Sequence, residues 1–151
     1  MKKIFFFIVF FIVSMKLSAE TISSSTTRTS SKNVTEDLTI NKDVTLYFLN
    51  HQKGLRVKSG DITIINRGTL ESKEDDGESS TNQTITGTGS DGAYDIKIYN
   101  YGTIYTPGNS AIFTPTNDQD NDGDGIGPYI YNEGTIKSSN QWTIRSHASD
   151  K

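Results

Sequence analysis

The phrase Asn-x-Gly-Thr-Ile/Leu occurs three times in this chain, as INRGTLES at 65–72, YNYGTIYT at 99–106 and YNEGTIKS at 131–138. Its asparagines are Asn66, Asn100 and Asn132, so the steps are 34 and 32 residues. Repetition at a period of about 20 to 50 residues is the mark of a solenoid or array. One such unit cannot bury its own apolar face and must lay it on the next.

Around each phrase the pattern has period two. Ile62, Ile64, Asn66, Gly68 and Leu70 alternate with Thr, Ile, Arg and Thr. Ile96, Ile98, Asn100, Gly102 and Ile104 alternate with Lys, Tyr, Tyr and Thr, and Ile130, Asn132, Gly134 and Ile136 complete the set. That alternation predicts strands with one face inward. Helical spacing fits none of the copies. Upstream, Val44, Leu46 and Phe48 continue the alternation, followed by Leu55 and Val57. Shorter fragments follow the repeats at Thr84-Ile85, Ala111–Phe113 and Trp142–Ile144. The expected fold class is all-β.

Asn and Gly on an inward face are odd for a flat sheet. Both tolerate a left-handed backbone, so they suit a corner that recurs on every lap. If laps stack, each asparagine amide lies over the next and can give and accept hydrogen bonds along the pile. Each isoleucine then rests on the isoleucine of the neighbouring lap. N-x-G is also a hairpin signal, which leaves an antiparallel meander as the alternative. Intervals above about 30 residues with short second arms favour a parallel β-helix. Each interval is then one coil with a loop, or two thin coils.

The ends read differently. Met1-Lys2-Lys3, the apolar run Ile4–Val13 and Leu17-Ser18-Ala19 have the layout of a secretory signal peptide over residues 1–19. The run is too short to cross a bilayer, which needs about 20 apolar residues, and no other stretch could span one. Without Lys2, Lys3 and Lys16 the 15 Lys and Arg fall to 12 against 18 Asp and Glu, a net charge of −6. That argues against a nucleic-acid partner, which would want a basic stripe, and is compatible with cation ligands. Cysteine is absent, so an exported chain of this size must be held by something other than disulfides. Residues 20–36 are rich in Ser and Thr and predict a disordered or poorly packed lead. Residues 37–146 are expected to form the β-helix domain, with 37–50 capping its first end, and 147–151 a polar tail.

The leader, the Ser/Thr-rich lead, DLTINKDVTL at 37–46, the recurring N-x-G-T-I-x-S/T and NSAI at 109–112 resemble the passenger region of bacterial autotransporter adhesins. The resemblance covers roughly residues 37–146. It implies a right-handed parallel β-helix, exported to the cell surface, outer membrane or medium, where it serves as a display scaffold. Such passengers are followed by a C-terminal β-barrel, and no series of alternating ten-residue strands follows residue 146. The chain is therefore expected to be an incomplete β-helix, the first part of a longer or truncated protein, or a small free-standing relative.

The sharpest local chemistry is NDQDNDGDGIG at 117–127. Asp118, Asp120 and Asp122 before Gly123 match the first half of a calcium loop, and Asp120, Asp122 and Asp124 before Gly125 match it again. Alternate carboxylates in a tight loop converge their oxygens, and Ca²⁺ takes six to eight of them. The twelfth position, where a bidentate Glu is required, is Tyr129 or Tyr131, and no flanking helices are expected, so this is not an EF-hand. A solvated acidic insertion between coils is the alternative. ESKEDDGESS at 71–80 lacks the alternation and reads as a solvated loop.

His51 and His147 stand far apart with no Cys, which leaves no zinc pattern. Neither G-x-S-x-G nor another nucleophile context is present. β-Helical polysaccharide lyases use paired carboxylates, or Ca²⁺ with a basic residue, along a long flank. Here only Asp118 to Asp124 with Lys97 or Arg67 would be candidates. The outward positions instead hold Tyr99, Tyr101, Tyr105, Tyr129 and Tyr131, with Trp142 near the end. Tyr is common in strands for its propensity alone. Aligned between coils, these rings would make an aromatic strip suited to a host or cell-surface protein or glycan. Asn33-Val-Thr and Asn82-Gln-Thr match the acceptor pattern for N-glycosylation, which matters only in a eukaryotic secretory route. The leading expectation is a non-enzymatic adhesin-like module. A calcium-dependent binding module and a fragment of a carbohydrate-active enzyme are the alternatives. A short β-helix also leaves strand edges free at its end, which predicts self-association there.

Overall fold

The computed structural model describes residues 19–49, 53–72, 83–87, 95–115, 128–139 and 142–147. These residues form fifteen strands wound into five coils of three. Coil 1 holds β1 (Glu20–Ile22), β2 (Thr26–Arg28) and β3 (Lys32–Val34), and coil 2 holds β4 (Leu38–Ile40), β5 (Thr45–Phe48) and β6 (Leu55–Val57). Coil 3 has β7 (Thr63–Asn66), β8 (Thr69–Ser72) and β9 (Gln83–Gly87). Coil 4 has β10 (Lys97–Asn100), β11 (Thr103–Thr106) and β12 (Ser110–Pro115). Coil 5 has β13 (Tyr129–Asn132), β14 (Thr135–Ser138) and β15 (Trp142–His147).

First strands pair only with first strands, second with second and third with third, giving three five-stranded sheets in the orders β1-β4-β7-β10-β13, β2-β5-β8-β11-β14 and β3-β6-β9-β12-β15. Every pairing is parallel. The fold is the expected parallel β-helix, and the antiparallel meander is excluded. Each 32- to 34-residue interval is one coil with loops, not two thin coils.

The core is a set of columns along the helix axis. Leu38, Ile64, Ile98 and Ile130 are in register on the first face. Leu46, Leu70, Ile104 and Ile136 follow on the second, and Leu55, Ile85, Ile112 and Ile144 on the third. In coils 2 to 4 all these side chains are fully buried. Burying an Ile or Leu completely stabilises by about 1.5–3 kcal/mol, so the columns dominate the stability. The alternating residues (Thr63, Lys97, Tyr99, Tyr105) point outward, which is why period two was legible in the sequence.

Coil 1 corrects the expected domain boundary. Residues 20–34 are not a loose lead; their strands pair in register with coil 2. Backbone pairing does not need apolar side chains, and the short Ser/Thr/Lys segments supply β-branched residues at strand spacing. Residues 37–48 are accordingly the second coil and not the cap. The inward columns of coil 1 carry Glu20 over Leu38, Arg28 over Phe48 and Lys32 over Leu55. Lys32 Nζ meets Glu20 Oε2 at 2.6 Å. Ile22, Thr26 and Val34 hold the other inward positions, and the charged members among them explain why composition alone read this segment as unpackable.

The corners correct a second expectation. Among the described residues the left-handed ones outside glycine are Asp43 (φ 64°) and Asp61 (φ 54°), not the repeat asparagines. Gly68, Gly102 and Gly134 are required by close approach instead. A Cβ on Gly102 would lie 2.0 Å from the carbonyl oxygen of Gly68, and one on Gly134 2.0 Å from that of Gly102. No side chain fits between stacked corners at that spacing.

Candidate functional site

The repeat residues come together as the sequence predicts. Asn66 Nδ2 donates to Asn100 Oδ1 at 2.7 Å, and Asn100 Nδ2 donates to Asn132 Oδ1 at 2.7 Å. Second contacts run to the corner backbone, from Asn66 Nδ2 to the Thr103 carbonyl at 3.1 Å and from Asn100 Nδ2 to those of Gly102 and Thr135, each at 3.2 Å. Asn66 and Asn100 are fully buried. The corner backbone is tied in the same way: Tyr101 N and Gly102 N both donate to the Asn66 carbonyl, and Glu133 N and Gly134 N to that of Asn100. This ladder satisfies polar groups that the interior would otherwise penalise. Its role is structural.

A second polar column was not assigned from sequence. Ser72 Oγ donates to Thr106 Oγ1 at 2.9 Å and lies 3.1 Å from Thr84 Oγ1, all three buried. Thr84 in turn donates to the Tyr105 carbonyl at 2.8 Å, and Ser138 Oγ donates to that of Gly108 at 2.9 Å. The signal was present as the final Ser/Thr of N-x-G-T-I-x-S/T. It marks the second corner as Asn marks the first.

Asp118, Asp120, Asp122 and Asp124 lie outside the described residues, as does His51. Among the described residues no group of three or more His, Asp or Glu is placed to hold a metal ion. No helix among them is long and apolar enough to cross a membrane.

The outward face of the first sheet carries the most distinctive surface. Tyr99 lies in register between Ile65 and Tyr131, with Lys97 between Thr63 and Tyr129 beside it. Ring centroids are 5.8 Å apart for Tyr99–Tyr129, 6.2 Å for Tyr99–Tyr131 and 6.1 Å for Tyr101–Tyr131, all tilted. These are the separations at which aromatic pairs attract beyond simple burial. The Arg67 guanidinium sits 5.9 Å from the Tyr101 ring, and Lys97 Nζ is 3.6 Å from Asp61 Oδ1. Tyr131 donates its hydroxyl to Glu133, whose negative charge holds the Tyr131 phenol above its ordinary value of 10.0. Tyr101, Tyr129 and Tyr131 are 42%, 48% and 38% exposed. The result is a four-ring apolar platform with a charged rim.

Tyr105 is separate, on the second sheet, where Lys137 Nζ lies 5.8 Å from its ring. Trp142 also departs from expectation. It pairs with buried Ser110, so it stands on an inward column and is exposed only because the described residues place nothing beneath coil 5. The Arg145 guanidinium covers its ring at 4.5 Å. Comparison of the chain with protein-family models, with curated proteins and with solved structures gave no match in any of the three.

Proposed function

We propose that this protein is a non-enzymatic, adhesin-like module, exported to the cell surface or the medium, whose β-helix displays a binding face. The observation that carries the reading is the tyrosine platform of Tyr99, Tyr101, Tyr129 and Tyr131 on the outer face of a rigid sheet. Tyrosine supplies a large, stiff contact area at small entropic cost, with a hydroxyl that can still bond a partner. Arg67, Lys97 and Glu133 at its edge give both signs of charge, which suits the hydroxyls and occasional acids of a surface glycan as well as a protein loop. The resemblance to autotransporter passengers supports the same reading.

The test is binding of the labelled protein to a glycan panel and to intact cells, with Tyr129→Ala and Tyr131→Ala as paired variants. The reading expects a signal that the double variant reduces about tenfold or more, as for aromatic anchors at interface centres. A signal indifferent to both substitutions would move the binding site off this face.

A further inference from the structure

The rings that make the outer face of the first sheet apolar are also phenols, and phenols are the side chains that join ring to ring on oxidation. Tyr131 stands at the centre of the cluster. Its ring centroid lies 6.1 Å from that of Tyr101 and 6.2 Å from that of Tyr99, while Tyr99 lies 5.8 Å from Tyr129. Each pair takes one ring from coil 4 and one from coil 5, beside the paired strands β10 and β13. Tyr101, Tyr129 and Tyr131 are each more than a third exposed, so an oxidant reaches them from solvent. Their second side-chain torsion is soft, and a turn about it brings one ortho carbon onto another. Tyr47 and Tyr105 are arranged differently: they share a column of the second sheet, but Glu71 stands in register between them.

We propose that this cluster is an oxidative cross-linking site, at which Tyr131 is joined to a coil 4 tyrosine, Tyr101 or Tyr99, with Glu133 accepting the Tyr131 proton. The oxidant it takes is hydrogen peroxide delivered by a haem peroxidase. One electron and one proton leave each of two phenols, and the peroxide that receives them becomes two waters. The two phenoxyl radicals couple through a bond between ortho carbons, and the hydrogen displaced from each of those carbons is returned to the neighbouring oxygen. The joined rings have then lost two hydrogen atoms in all. A phenol that gives up an electron becomes a strong acid, so its proton must have somewhere to go. The Tyr131 hydroxyl already donates to the Glu133 carboxylate, which puts an acceptor within transfer distance. The product is a covalent rung outside the Asn100–Asn132 amide pair. Like a disulfide, it closes a loop and restricts the unfolded chain. In a chain without cysteine it is a cross-link of the kind that disulfides supply elsewhere. This inference rests on the ring geometry and not on the binding reading, and its test needs no ligand.

The test treats the purified protein, kept dilute, with a haem peroxidase and limiting hydrogen peroxide. Dityrosine fluorescence should appear in a product that still runs as a single chain and is lighter by two hydrogens. Rings held this close react within the molecule before two molecules meet. Digestion at Asp118, Asp120, Asp122 and Asp124 separates coil 4 from coil 5, and the linked peptides should contain Tyr131 with Tyr101 or Tyr99. Tyr131→Phe keeps the ring and removes only the hydroxyl, and it should lose most of the product. Tyr105→Phe should lose none. Glu133→Gln should slow the reaction without changing which peptides are joined. The linked protein should melt above the unlinked one. Links formed only between chains, a Tyr131→Phe variant with the native yield, or a Glu133→Gln variant with the native rate would overturn the proposal.

Discussion

The Asn66 side-chain amide donates to the Asn100 side-chain oxygen at 2.7 Å, and the chain of amides continues in one direction to Asn132. The ladder therefore has a beginning and an end. It begins under Ile40, which has nothing to donate, so Asn66 Oδ1 is buried without a partner. It ends at Asn132, which is exposed and donates to the Gly134 carbonyl at 3.2 Å.

Asn100 is the rung bonded on both sides, and Asn100→Ala should cost about 2–4 kcal/mol, combining a cavity with two orphaned amides. Asn132→Ala, at the exposed end, should cost under about 1 kcal/mol. Urea midpoints of the two variants check this. Equal losses would mean that the amide bonds are not what holds the corners.

Gly102→Ala places a methyl group 2.0 Å from the Gly68 carbonyl oxygen, within a coil locked on both sides. The expected loss is about 3 kcal/mol or more, the scale of overpacking against backbone. Gly134→Ala makes an equally short contact, but among the described residues coil 5 is paired on one side alone, so a smaller loss is expected. Melting temperatures of the two variants separate the effects.

Deleting residues 20–36 should uncover Leu38, Ile40, Leu46, Phe48 and Leu55, which are at most 1% exposed in the structure. The loss should be on the order of 5 kcal/mol, with new binding of a hydrophobic dye. A disordered lead would come away with no change in the melt.

The Tyr131 phenol is raised by its bond to Glu133 and by that carboxylate's charge. A raised tyrosine stabilises the folded state while it is protonated. The contribution is therefore complete below the ordinary value of 10.0 and is lost as pH climbs through the raised value. In a spectrophotometric titration the Tyr131 phenolate should appear above 10.0, and Glu133→Gln should bring it back toward that value.

Much of this architecture was legible because stacking forces like onto like. Ile64, Ile98 and Ile130 share a column, so their sequence neighbours look alike, and the spacing of the asparagines revealed the coil before any coordinate did. Coil 1 was missed because hydropathy reports what a segment can bury, whereas β1 to β3 are held largely by backbone pairing and set Glu20, Arg28 and Lys32 beside Ile22 and Val34 at the end of the core. The glycines were found for the wrong reason: a sequence shows that Cβ is absent, not whether backbone torsion or a neighbouring carbonyl excludes it. Trp142 was misplaced because parity along a strand cannot be carried through a loop of unknown geometry. The tyrosines were legible individually, and only the register showed that four of them meet.

Register in this fold belongs to the columns and not to the distance along the chain. Leu46 pairs with Leu70 and Ile104 with Ile136, although the chain between the members of each pair differs in length. Peptide can therefore be added between the strands at 73–82 or 116–127 without shifting any isoleucine from its seat. A foreign epitope spliced into either segment would be carried on a scaffold indifferent to its length, which makes the molecule a natural presenter for grafted antigens.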